Sequence, residues 1–345
     1  MTEPLRFSFD DLVAHIRATL EREGVPPEIA SVEAELAVEA DLLGVPSHGV
    51  ARVPGLIRAL HDGRVKPAPQ WHIARDHAAV CVIDGDSGPG RFICLKAVEQ
   101  AVARAKQFGI GACLAAHTSH WGRAHAYAAR IAEAGMIGLC LTNAATSMAG
   151  WGAIKPVIGN NPLAIGLPGI RPGEPVVLDM AMSQAAVGKV ATFLREGKTV
   201  PGNWGIDADG RPSSDAAAIL KGAVLPMGEH KGAGLALMMQ LMTAALAGGL
   251  FDHQLREHDA SGVDAESSKL FIALDIAAFI EPAVFRERVE SLLVWLDEHA
   301  SSEAEHFQWP GQRGWREAAV NRERGVPLHP DLVAQLAAAG INPGA

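Results

Sequence analysis

Residues 164–181 read AIGLPGIRPGEPVVLDMA, two short apolar runs with only a Gly/Pro-rich turn between them. A parallel pair of strands needs a crossover of a dozen residues or more, whereas a tight turn joins antiparallel neighbours. This stretch therefore predicts an antiparallel step and, with it, a mixed sheet. Outward from it the chain alternates. Toward the N-terminus HAAVCVIDG (77–85), IGACLAAHT (110–118) and MIGLCLTN (136–143) read as strands, separated by helical stretches over 93–107 and 123–134. Toward the C-terminus GAVLPM (222–227) and LFIALDI (270–276) read as strands around a helical stretch over 232–247. The expectation is an α/β core over 76–304 with an inserted smaller lobe. A helical segment over 1–75 is expected to pack with a C-terminal segment over 305–345.

The first third carries helical spacing. In PPEIASVEAELAVEADLLG (26–44), Ile29, Val32, Leu36 and Leu43 recur on a helical period and Gly44 ends the run. SHGVAR (47–52) follows at a junction. Ser47 reads as an N-cap, Val50, Val53, Ile57 and Leu60 as an apolar stripe, and Gly63 as the residue past the end. Pro54 should kink or shorten this helix. His48 and Arg52 would share the opposite face, and two basic side chains beside a helix N-terminus suit a small anion such as a carboxylate. A solvated polar face is the plainer reading of the same residues. DHQLREHDASGVDAESS (252–268) reads as an exposed loop, and HPDLVAQLAAAG (329–340) as a closing helix with Pro330 in its first turn.

Composition narrows the function. The 345 residues carry a formal net charge of -9, 48% hydrophobic and 20% charged residues, 36 Gly and 21 Pro. With no basic cluster, neither nucleic acid nor an anionic membrane is expected as the main partner. A small-molecule site is expected instead. Cys81, Cys94, Cys113 and Cys140 lie in apolar segments without metal-ligand spacing, so buried free thiols in a reducing compartment are expected. The start, MTEPLRFSFDDLVAHI, lacks the pattern of a signal peptide, and no apolar run is long enough to span a bilayer; the expected location is the cytoplasm.

Nucleotide motifs are conspicuous by their spacing. GDSGPG (85–90) does not fit GxGxxG, and KGAGLAL (231–237) lacks the third glycine. Walker A, HExxH and GxSxG are absent as well. In HTSHWGRAHAYAARIAEAG (117–135), His117, His120 and His125 have no acidic residue beside them in sequence, so no metal is expected. A histidine before a helix feels the positive end of its dipole, which disfavours imidazolium and suits a general acid or base. Asn160 and Asn161 can present amides to a ligand. Asp179 ends an apolar strand, where it can accept from ribose hydroxyls or cap the following helix. His230 and Lys231 open a helix that can meet phosphate, and Arg313 lies beside a glycine turn.

Taken in order, SHGVARVP, DGDSGPG, SHWG, GNNPLAIGLP, VVLDMAMS, GEHKGAGL and PGQR resemble the malate/L-lactate dehydrogenase family. That family also contains sulfolactate and ureidoglycolate dehydrogenases, 2,3-diketogulonate reductase and Δ1-piperideine-2-carboxylate reductase. The similarity runs from about residue 10 to 340. It implies a non-Rossmann three-layer α/β/α fold with a mixed sheet, helical N- and C-terminal segments, and usually a homodimer. It also implies an oxidoreductase that uses NAD or NADP on a small 2-hydroxy or 2-oxo acid.

By matching positions, Arg52 would hold the substrate carboxylate, with Asn160 near the substrate. His48, oriented by Ser47, would exchange the proton; His120 is the competing acid/base residue, and Lys189 stands beside this catalytic set. Cofactor contacts would come from His120, Trp121, Gly122, Arg123 and Ala124, from Leu178, Asp179 and Met180, from His230 and Lys231, and from Gly311, Gln312 and Arg313. Three positions depart from relatives. Asn160 replaces a frequent threonine, Leu56 a frequent tyrosine, and Lys189 an aspartate carried by the cyclic-imine reductases. The last favours a 2-oxo acid over a cyclic imine carboxylate. A cyclic-imine reductase and a non-catalytic ligand-binding homologue are the alternatives.

Overall fold

The computed structural model describes residues 3–171, 173–195, 197–258, 263–300 and 306–342. The turn read from the sequence does join antiparallel neighbours, β8 (Leu163–Arg171) and β9 (Glu174–Met180). Gly169 permits it, because a Cβ there would lie 1.9 Å from the Glu174 carbonyl oxygen. Both belong to a seven-stranded sheet. Its order is β2 (His72–His77), β3 (Val80–Gly88), β4 (Ile110–Thr118), β13 (Ser267–Asp275), β5 (Met136–Thr142), β8, β9. Only β3 and β4 run parallel, linked by the crossover helix α4 (Gly90–Phe108); every other neighbour is antiparallel.

Alternation along the central strand β13 builds two cores. Phe271 and Ala273 pack with Cys113, Cys140 and α4, on the face that α5 (His125–Glu133) also covers. Leu270 and Ile272 pack with Leu114, Leu141 and Met239 on the other face. That second face is covered by α8 (His230–Gln240), which continues into a π-helical turn over Leu241–Ala245. The result is three layers. Behind α4 lie α1 (Phe9–Arg22) and α2 (Pro27–Leu42). All four cysteines are free and buried.

A second, five-stranded sheet has the order β11 (Pro212–Ser213), β10 (Gly205–Ile206), β12 (Ala223–Val224), β6 (Met148–Ala149), β7 (Pro156–Ile158). With α6 (Val187–Arg195) and α7 (Ala216–Lys221) it encloses a small core of Met148, Met182, Val190, Ile219 and Val224. The apolar run at 222–227 thus serves this lobe and not the main sheet.

The chain ends meet. β1 (Leu5–Phe7) pairs with β14 (Val326–Leu328), α11 (Gln312–Arg324) packs on α2, and α12 (Pro330–Ala338) packs on α3 (Val53–His61). Pro330 opens α12, as its fixed φ favours. The stretch at 252–268 is not one exposed loop. It begins as α9 (Asp252–His258) with Asp252 fully buried, and its last two serines start β13; residues 259–262 lie outside the described residues. One further helix, α10 (Pro282–Ala300), packs against β8 without burying a residue. Among the described residues no helix is long and apolar enough to cross a membrane.

Candidate active site

SHGVAR does not form the single helix its spacing suggests. Pro46–His48 and Val50–Arg52 are separate 3₁₀ turns, broken at Gly49, and α3 begins only at Val53. Asp41 of α2 makes the break. Its Oδ2 accepts the Val50 N–H at 2.7 Å, and a Cβ on Gly49 would lie 1.8 Å from the same oxygen. Pro54 falls in the first turn of α3, where its missing N–H costs nothing; of the two expected outcomes the helix is shortened, to Val53–His61, and not kinked. Ser47 is accordingly no N-cap: its Oγ lies 2.9 Å from His48 Nδ1. Arg52 Nε donates to the Ser47 carbonyl at 2.9 Å. His48 and Arg52 reach one cleft through two tight turns and not through a shared helical face.

The second histidine arrives from the end of β4. The Gly90 N–H donates to Ser119 Oγ at 2.9 Å, and the His120 N–H donates to the Val263 carbonyl at 2.7 Å. Gly122, at φ 77°, turns its own N–H back onto His120 Nδ1 at 3.0 Å. The His48 and His120 ring centroids are 6.0 Å apart. The other two histidines go elsewhere. His117 does have an acid beside it in space, pairing with Asp84 at 3.1 Å, while His125 is buried against Trp315. Among the described residues no cluster of His, Cys, Asp or Glu is arranged to hold a metal.

Asp179 lines the cleft but does not cap the helix that follows it. Its Oδ2 accepts from Arg123 Nε at 2.8 Å and from the His125 N–H at 3.2 Å, so it caps α5, the helix that precedes it in sequence. Asn160 faces the cleft, and its carbonyl accepts the Met182 N–H. Asn161 is an internal tie: its amide bonds Asp252, the Ala236 carbonyl and the Ala144 N–H.

The cleft has a volume of about 420 Å³. It runs from His48 and Arg52 past the His120–Ala124 loop to Asp179, Met180 and Arg313. Its charge is lopsided. Burial, then the nearby guanidinium groups of Arg52, Arg123 and Arg91, push His48 down to about 4. Burial, Arg52, His48, Arg91 and Lys269 together hold His120 well below the usual imidazole range. Both rings are therefore neutral at neutral pH, further from imidazolium than a poised acid would be.

An anionic dinucleotide fits the donors present. Arg123 lines the cleft with a buried Nη1 that has no partner, a donor that a ligand oxygen would satisfy, and Arg313 and Arg256 add cationic lining.

Other expected residues sit apart from this cleft. Lys189 lies with its ammonium 4.8 Å from the Trp204 ring centroid. His230 and Lys231 are exposed at the start of α8, with His230 against Trp151. Gln312 lines a separate pocket with Trp309 and Arg316. Gly311 caps α11 in a left-handed conformation against the Val177 backbone, and Leu178 is half-buried on β9 outside the cleft lining. Sequence reasoning missed Asp41, Arg91 and Lys269. The one available signal was a lysine within the apolar run SSKLFIALD.

The chain covers known proteins almost end to end. It is 35% identical to the L-sulfolactate dehydrogenase of Methanocaldococcus jannaschii over 92% of this chain and 91% of that protein. It is 31% identical to a malate dehydrogenase of Pyrococcus horikoshii, covering 96% and 94% of the two chains. The solved structure of the Methanocaldococcus jannaschii sulfolactate dehydrogenase matches with a TM-score of 0.90 at 31% identity, covering 98% of each chain. The family profile described as malate/L-lactate dehydrogenase spans residues 7–337, and the chain belongs to that family.

Proposed function

We propose that the protein interconverts a small 2-oxo acid and its 2-hydroxy acid, with NAD or NADP as the redox partner. The observation that carries this is the convergence of Arg52, His48 and His120 on one cleft. The nicotinamide would exchange a hydride with C2 of the acid. It would lie along the His120–Ala124 loop, Asp179, Met180 and Arg313. Arg52 holds the carboxylate, and its planar fork fixes the reacting carbon as a lysine would not.

The hydrogen bonds divide the proton work between the two rings. A backbone N–H can only donate, so the bond from Gly122 makes His120 Nδ1 an acceptor and leaves the proton on Nε2. His120 thus offers a fixed N–H to the C2 oxygen, stabilising the charge that develops there. Protonating His120 would set two donors against each other. His48 has no such restriction, because the Ser47 hydroxyl can donate to Nδ1 or accept from it. His48 therefore exchanges the proton: as a neutral ring it takes one from the alcohol, and as imidazolium it returns it to the alkoxide.

The four buried thiols suit a reducing compartment, which supports a cytoplasmic location. The outer side of α8 and the π-helical turn after it expose Leu235, Leu237, Met238 and Leu241, which supports a homodimer closed over that helix.

Assays of nicotinamide absorbance with both cofactors, against malate-like, lactate-like and sulfolactate-like acids and a cyclic imine carboxylate, test the reading. Turnover of at least one oxo acid is expected. Turnover of the cyclic imine alone would transfer the site to imine reduction. No change in NADH or NADPH fluorescence on mixing would make the chain a non-catalytic binder.

A further inference from the structure

Lys269 is a fully buried lysine at the centre of the sheet that the roles above do not use. It sits on β13, opposite Ala115 of β4 and Thr142 of β5, and lies 1% exposed. Burying an ammonium is costly unless its protons are matched by acceptors. Here they are matched one for one: Nζ donates to Thr118 Oγ1 at 2.5 Å, Ser267 Oγ at 2.6 Å and the Ser119 carbonyl at 2.7 Å. The Thr118 carbonyl lies a further 3.2 Å away. Among the described residues no carboxylate is a hydrogen-bond partner of its ammonium. The titratable groups around it include Cys94 on α4, Asp264 and Glu266 on the approach to β13, and His120 itself.

Besides Ser267 on its own strand, its acceptors are the last residue of β4 and the one after it, directly before His120. We infer that Lys269 is a positioning residue for the proposed oxidoreduction: it clamps the Thr118–Ser119 turn and so holds His120 with its Nε2–H aimed at the substrate oxygen. Two further bonds complete the clamp, from Gly90 N–H to Ser119 Oγ and from His120 N–H to the Val263 carbonyl. Without the ammonium, the Ser119 carbonyl and the two hydroxyls lose a shared donor, and the loop carrying His120 is held less firmly, by its remaining backbone bonds and the Gly90–Ser119 bond alone. The ammonium charge also discourages imidazolium at His120, together with Arg52, Arg91 and His48. Burial lowers Lys269 itself to about 8, so the clamp remains charged at neutral pH. The inference rests on the oxidoreductase reading, but its structural half can be read without turnover.

The test compares wild type, Lys269→Met and Thr118→Val by steady-state kinetics and by ¹⁵N spectra of the histidine rings, with His120→Gln assigning the signal. In wild type His120 should show one fixed Nε2–H tautomer. In Lys269→Met the tautomers should mix, and kcat should fall at least about 10-fold, with KM for the oxo acid changed far less, as expected of a misplaced catalytic group. A folded Lys269→Met with wild-type kcat and an unchanged His120 signal would overturn the inference. If Lys269→Met does not fold, Thr118→Val decides: it removes one acceptor and keeps the lysine, so a smaller fall in kcat with mixed tautomers supports the clamp, and unchanged values refute it. Wild type that turns over neither an oxo acid nor the cyclic imine carboxylate refutes the oxidoreductase reading separately, leaving the tautomer result to judge the clamp.

Discussion

His48 and His120 lie close together in the same field of guanidinium groups, yet what touches each Nδ1 gives them unlike capacities. A neutral His48 is ready to accept a proton, whereas a reduction must first find one. A carboxylate docked on Arg52 offsets part of the positive charge that holds His48 near 4, so its pKa rises on binding. Binding an oxo acid to the enzyme–cofactor complex should therefore take up protons in a window that opens at about pH 4 and extends up to the raised value. Calorimetry in buffers of different ionisation enthalpy would measure that uptake, and it should vanish in His48→Gln. In the same variant kcat should fall about 10²–10⁴-fold, while His120→Gln keeps the proton uptake and still loses rate. Equal uptake in wild type and His48→Gln would remove His48 from the proton role. The residue types at 47, 48 and 52 were legible in the sequence. The bonds that separate the two rings were not, because Gly122 reaches back to His120 through a left-handed turn that sequence spacing does not report.

Between elements, α2 carries more of the site than its amphipathic pattern suggests. Asp41 shapes the two turns before α3, and eight residues earlier Glu33 caps α4 from outside. Glu33 Oε1 accepts the Phe92 N–H at 3.1 Å in the first turn of α4, and Oε2 accepts from Arg91 Nη1 at 3.0 Å. Both partners of that ion pair are nearly fully buried. Arg91 in turn reaches toward the His48 carbonyl, 3.4 Å away. Removing the acid alone leaves a buried guanidinium uncompensated, so Glu33→Ala should cost about 3–5 kcal/mol in urea unfolding. A loss below about 1 kcal/mol, the range of an exposed pair, would contradict this account.

Elements with a strong local signal were read correctly: the β8–β9 turn, the strand over 110–118, and α12 with its proline start. The elements misread or missed are those where tertiary contacts decide. α9 is polar in sequence but is anchored by buried Asp252, and α10 lies against β8 with no buried residue. The 3₁₀ turns exist because Asp41 competes for the Val50 N–H.

At the scale of the whole molecule, the layer formed by α8 is apolar on both sides. Its inner side meets β5 and β13, and its outer side exposes Leu237 and Leu241, one turn apart on one face. Nearby, Trp151 and Val157 are also exposed and line a shallow pocket with Leu237. A second copy packed there would bury these groups. Light scattering should show a dimer, and the double variant Leu237→Glu/Leu241→Glu should be a monomer at the same concentration. A wild type that stays monomeric at high concentration would refute the dimer, and a double variant that stays dimeric would place its interface elsewhere.

The position of β13 has a consequence for how the molecule is made. Its partners β4 and β5 are complete by residue 142, but the strand that belongs between them is not synthesised until residue 275. A nascent chain therefore carries open edges on β4 and β5 while about 130 more residues are translated, a delay on the order of 10 s at usual elongation rates. Unpaired edges of that kind invite pairing with other chains. The gap closes only with a late, long-range insertion, so this protein should depend on chaperones in the cell, and refolding from denaturant should be slow.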